Sequence, residues 1–171
     1  QVAVLTDLQV KQLSTANIQA LTSDQAKVLK QAQLGALTSA QVAALTNDQL
    51  VAMTQTQITG LDADTQLIGL TAAQIKVIET DDLDAIDDTD FASLTTVQLA
   101  ALTTNQVLSL STDKVGALSS TKLASAFSTA MISALTTVQL AELSAADIAA
   151  LSVSQRAAIA ADDFATLTVA Q

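Results

Sequence analysis

The sequence predicts an all-α fold: a solenoid, or superhelix, of very short capped helices built on an octapeptide repeat. Three observations predict it. A large apolar residue recurs every eight positions along the whole 171-residue chain. A helix-start signal follows almost every one of these markers. The chain is 50% apolar, but it holds only three aromatics and no Pro or Cys. A core so poor in large rings is thin and assembled from small pieces, as in a stack of repeats.

The markers run Leu5, Leu13, Leu21, Leu29, Leu37, Leu45, Met53 and Leu61, then Leu70, Ile78, Ile86, Leu94, Leu102, Leu110 and Leu118, then Phe127, Leu135, Leu143, Leu151, Ile159 and Leu167. They define 21 octads in a single repeat domain, residues 1–171, broken only by one-residue insertions within 62–70 and 119–127. A pattern of that length is a structural repeat. Both ends of the sequence lie inside the repeat and there is no initiating Met, so the chain reads as an excerpt of a longer protein.

The residue after the marker is Ser or Thr in 16 of 21 octads, and Asp62 and Asp87 extend the set. Gln stands three residues further on in 12 of them, from Gln9 to Gln171. This is a capping box: the hydroxyl accepts from the N3 backbone N–H, and the Gln side chain returns to the backbone of the cap. The marker then sits at N′ and the apolar residue after Gln at N4. Leu37 with Val42, Leu45 with Leu50, and Leu102 with Val107 therefore read as hydrophobic staples.

A continuous helix fails this pattern, because eight residues at 100° each leave the marker 80° off its previous direction. A strand fails too, since marker and N4 lie an odd number of residues apart and would point to opposite faces. What fits is a helix of five to seven residues, a bend at the cap, and another helix. Such helices cannot stand alone, because nucleation costs more than one turn returns. They must stack. From Leu34 to Val107 the N4 residue alternates between Leu and a β-branched or aromatic residue. That alternation predicts two inequivalent positions and a 16-residue two-helix unit in two layers; the rival arrangement is three octads per coil, with a triangular cross-section.

Departures from the repeat are the candidate functional features. The run "ETDDLDAIDDTD", Glu79 to Asp90, carries seven of the 17 acidic residues. Its functional reading is a Ca²⁺ site formed by Asp81, Asp82, Asp84, Asp87, Asp88 and Asp90. Against that reading, no Gly provides a tight loop and the spacing is not that of an EF-hand. Most of these residues occupy caps and first turns, where the helix dipole favours anions, so the run reads first as a solvated acidic face. Gly60 and Gly69 fall where the chain passes close to itself. Arg156 and Ala160 break the repeat near the end, while the "TT" pairs vary too much in their second member to template a surface.

The net charge of −10 argues against nucleic-acid binding, and the apolar residues are too often interrupted to span a membrane. With no His, no Cys and no phosphate-binding loop, the residues predict no catalytic site, no cofactor and no enzyme.

Octads of the type seen in "LTTVQLAALTTNQVLSL" (Leu94 to Leu110) resemble those of very large bacterial surface or secreted repeat proteins, adhesin-like in character. The resemblance covers the repeat but is silent on the acidic run and on Lys114, Lys122 and Met131, which stand in the Gln position. It implies a secreted or cell-surface location. With the uniform octads it leads to the expected function: a structural rod, stalk or filament-forming segment of a larger extracellular bacterial protein. Its partners would be neighbouring repeats of the same or a like chain, with self-association into filaments. The alternative is a protein-binding solenoid using an acidic or concave face.

Overall fold

The structure, a computed structural model, describes residues 2–171. Among these residues the chain forms 19 α-helices of four to seven residues and two short 3₁₀ segments, Val2–Val4 and Leu67–Gly69, with no strand. The all-α solenoid read from the repeat is therefore the observed fold, and nearly every octad is one helix plus its corner.

Nearly every helix packs on the helix three octads later, so one coil has three sides. One side stacks α1 (Asp7–Lys11), α4 (Gln31–Gly35), α7 (Gln55–Thr59), α9 (Thr80–Ala85), α12 (Thr104–Ser109), α15 (Thr129–Ser133) and α18 (Val153–Ala157). The second holds α2 (Thr15–Gln19), α5 (Ser39–Ala43), the 3₁₀ segment Leu67–Gly69, α10 (Asp88–Ser93), α13 (Thr112–Ala117), α16 (Thr137–Glu142) and α19 (Ala161–Phe164). The third holds α3 (Ser23–Lys27), α6 (Asn47–Ala52), α8 (Ala72–Ile75), α11 (Thr96–Leu99), α14 (Ser120–Ala126) and α17 (Ala145–Ala150). The coil is thus 24 residues long, or 25 where an insertion falls.

This corrects the expected 16-residue unit and its two layers. The N4 alternation is real, but an odd number of helices per coil turns alternation along the chain into alternation up each side. Stacked helices present Leu34 with Ile58, Leu50 with Ile75, and Leu83 with Val107, all buried. Each Leu therefore meets a residue of different shape in the next layer, which lets successive layers interdigitate.

Markers and N4 residues together form one continuous core from Val2 to Ile159. The corners turn without a left-handed residue: no positive φ and no cis peptide occur among the described residues. The cap itself provides the bend, extended at φ −77° and ψ 161° for Thr38, between helical neighbours.

The insertions are absorbed in two ways. In the first, Asp62 takes the cap, its carboxylate accepting from the Thr65 N–H at 3.0 Å and the Thr65 hydroxyl at 2.7 Å, and the octad narrows to a turn and a 3₁₀ segment. In the second, the extra residue lengthens α14 to seven residues, with Ala126 buried at its end. At Gly69 a Cβ would lie 2.8 Å from the Cα of Ser39, so the close passage read there is present; at Gly60 it would meet only the Gln31 side chain.

Candidate functional site at the glutamine corners and the acidic coil

The hydroxyl caps form as the spacing predicts. Thr38 accepts from the Gln41 backbone N–H and Thr103 from that of Gln106, and the same bond recurs at most corners. Lys30, Glu79 and Ala160 make no side-chain cap.

The Gln side chain does more than close the box. In Gln41, Gln74 and Gln106, Oε1 accepts from the cap's own N–H at 2.7–2.9 Å. Nε2 of the same residues turns the other way and donates to the marker carbonyl one coil earlier: Leu13 at 2.7 Å, Leu45 at 2.8 Å and Ile78 at 2.9 Å. It also reaches the carbonyl three residues before that marker, Val10, Val42 and Ile75 respectively. Those carbonyls close the preceding helix; the marker carbonyl has no intrahelical partner, and the one three residues before it otherwise accepts only locally, as Val10 and Val42 do from the Leu13 and Leu45 N–H at 3.1 Å. One amide thus caps the start of its own helix and the end of another.

The same clamp is made by Gln33, Gln49, Gln57, Gln98, Gln139, Gln155 and Gln171. Gln66 makes it as well, fully buried, with Nε2 at 2.6 Å from the Leu34 carbonyl and 2.9 Å from that of Leu37. Reading Gln strictly three residues after the cap misses Gln66, because the first insertion places it four residues after Asp62. Its 3.0 Å bond from the Asp62 N–H shows that the box simply stretches.

Three departures from Gln keep part of the clamp. Lys114, 2% exposed, donates from Nζ to the Ile86 carbonyl and pairs with Asp88 at 3.0 Å, with the Phe91 ring centroid 5.9 Å away. An ammonium cannot accept from the cap, and Asp84 takes over that role, its Oδ1 accepting from the Ser111 N–H at 2.7 Å. Lys122 donates to the Leu94 carbonyl at 2.8 Å and to that of Ala92. Asp147 reverses the case: its carboxylate accepts from the Ser144 N–H and hydroxyl and, at 2.6 Å, from the Ser120 hydroxyl one coil earlier. Burial pushes the Asp147 carboxyl up, but the hydrogen bonds from Ser120 and Ser144 outweigh it and hold the group below the ordinary carboxylate range. Met131 keeps neither function and is simply buried.

The six Asp residues read as candidate Ca²⁺ ligands are distributed among separate tasks. Asp84 accepts from Ser111 and Asp88 pairs with Lys114. Asp87 caps α10 through the Thr89 N–H at 2.9 Å and the Thr89 hydroxyl, and those bonds hold its pKa down. Asp82 and Asp90 stand at N3 of α9 and α10, and Asp81 at N2 of α9. Burial, and then the charges of Glu79 and Asp81, push the Asp82 carboxyl up. Among the described residues no group of three or more acidic side chains is placed to hold a metal ion.

Arg156 turns back along the surface to the Ala149 and Leu151 carbonyls, which accounts for its tolerance at N4. A shallow recess of about 320 Å³ lies where Thr38 and Ser39 open α5, between Lys11 below and Thr65 above. No described helix is long and apolar enough to cross a membrane.

Compared with known proteins, residues 75–112 and 83–120 are similar to the ALTTAQ repeat, in two overlapping matches that include the acidic run and the Lys114 corner. No curated protein and no solved structure matches. The chain is a repeat protein.

Proposed function

We propose that this chain is a structural rod or stalk segment of a larger extracellular bacterial protein, holding other parts at a fixed separation. The observation that carries the reading is the Gln clamp. The buried amides of the corners are consumed in joining each coil to the one before it, so the chain's specific chemistry is directed along its own axis.

The outer surface supports a spacer over a docking face. Exposed large apolar residues are spread over all three sides: Leu8, Leu108 and Val153 on the first, Ile68, Val138 and Phe164 on the second, Val28, Val51 and Val97 on the third. No side collects them into one patch of the kind that marks a partner surface.

Small-angle scattering on the isolated chain tests the rod. About seven coils at about 9 Å each give a particle some 65 Å long, with a radius of gyration of about 20 Å. A radius near 16 Å, that of a compact globule of this size, would overturn the proposal. Growth of the scattering mass with concentration would redirect it to self-association into filaments.

A further inference from the structure

We propose that the solenoid contains an opening seam between the coil of α7, Leu67–Gly69 and α8 and the coil of α9, α10 and α11. Below the seam six consecutive corners carry Gln, from Gln33 to Gln74, and each clamps the coil beneath it. The next two corners carry Asp82 and Asp90. A carboxylate accepts but has no N–H to donate, and neither α9 nor α10 forms a capping box.

Other features of the same interface agree. Glu79, at the cap of α9, makes no side-chain cap bond. The insertion has narrowed the octad beneath α10 to a 3₁₀ segment, and α10 packs mainly on α13 above it. What crosses the seam is the packing of α9 on α7 and of α11 on α8, the Gln98 clamp to the Leu67 and Leu70 carbonyls, the Gln106 bond to the Ile75 carbonyl at the end of α8 and, at the rim, Gln55 Nε2 to the Asp81 carbonyl at 3.1 Å.

Upward, the same two helices are tied firmly. Asp84 accepts from Ser111, Lys114 holds Ile86 and Asp88, and Lys122 holds Ala92 and Leu94. Later gaps in the clamp, at Met131, Asp147 and Asp163, are each followed by a Gln corner and are never adjacent. The interface below α15, α16 and α17 is bridged by equally few side chains, the Gln139 clamp and the Ser120–Asp147 bond, but there all three sides stack, whereas α10 has little of the 3₁₀ segment to stack on. In a linear array joined by neighbour interfaces, the interface with fewest ties and least stacking opens first. The acidic coil therefore belongs to the upper block, and its underside is the seam.

Paired spin labels on the full chain test this, and the absence of Cys makes their placement unambiguous. Leu8→Cys with Thr56→Cys spans two clamped coils on one side of the rod; Thr56→Cys with Asn105→Cys spans the same number of coils but includes the seam. All three positions are exposed. Both pairs should centre near 20 Å at about 9 Å per coil plus the label arms. The pair across the seam should show a distance distribution about twice as broad. Adding Asp82→Gln and Asp90→Gln should narrow it to that of the clamped pair. Equal widths in the parent chain, or a width unchanged in the double variant, would overturn the seam. Failure of the double variant to fold would overturn it too, because restored clamps should strengthen the interface.

Discussion

Replacing Gln106 by Glu isolates the second role of the corner amide. The side chain keeps its length and its Oε1, so the bond from the Thr103 N–H, 2.8 Å in the parent, is retained. It loses the two N–H donors that hold the Ile75 and Ile78 carbonyls at 2.8 and 2.9 Å. A residue only 3% exposed would then place a carboxylate against carbonyl oxygens. Losing two net hydrogen bonds costs about 2 kcal/mol. The carboxyl escapes further cost by protonating, which from an unfolded pKa of about 4.3 costs at most about 3.7 kcal/mol at pH 7. The protonated acid still lacks one of the two bonds, so the expected loss at pH 7 is about 2–5 kcal/mol, read as a lowered urea midpoint followed by circular dichroism. A folded-state pKa raised in this way gives stability that is full below about pH 4.3 and lost as pH rises through the folded value. The deficit should shrink at pH 4.5, where the protonated acid donates one bond again. Gln106→Met removes the same bonds without adding charge, and its deficit should not follow pH in this way. A Glu variant within about 0.5 kcal/mol of the parent at pH 7 would show that the amide only caps its own helix.

The remaining expectations concern corners that depart from the rule. Met131→Gln should raise stability by about 1 kcal/mol in the same urea titration, since the new amide can cap at Ser128 and reach the corner carbonyl of Leu102 one coil earlier. Gly69→Ala should cost about 1–3 kcal/mol, because its Cβ would approach the Ser39 backbone to 2.8 Å, whereas Gly116→Ala, with open space around it, should be neutral or slightly stabilising. Asp147 has a lowered pKa, so its contribution is present above the unfolded carboxylate value and lost as pH falls below about 4. Replacing Ser120 by Ala should therefore reduce the acid dependence of the melting temperature.

The elements legible in the sequence are those set by local chemistry. Thr38, Gln41, Val42 and Leu37 lie within six residues, and their cap, box and burial follow from rules that act over one helical turn. What the spacing could not show was set across coils. The Nε2 of Gln41 finds its acceptor 28 residues earlier in Leu13, a separation that no octad contains. The coil number failed for the same reason. Alternation of Leu67 with Ile75 and Leu83 is compatible with two positions along the chain or with an odd coil that stacks unlike residues, and only the stacking decides. At the acidic coil, the pairing of Asp84 with the Ser111 N–H joins two departures that look unrelated at 27 residues' distance. One signal was available: Lys114 in a Gln position has lost an acceptor, and that acceptor must be supplied from elsewhere.

The clamp also gives the array a direction. Each amide donates to carbonyls that precede it in the chain, as Gln33 does to Leu5 and Gln171 does to Leu143, and none of the Gln clamps runs the other way. A Gln-bearing coil emerging from synthesis therefore carries its own donors to acceptors already in place. Where the corner carries Gln, the new layer is satisfied on its lower face as it arrives and leaves fresh carbonyls for the next. The repeat is an assembly order written in hydrogen bonds, extending from the N-terminal end without waiting for residues not yet made.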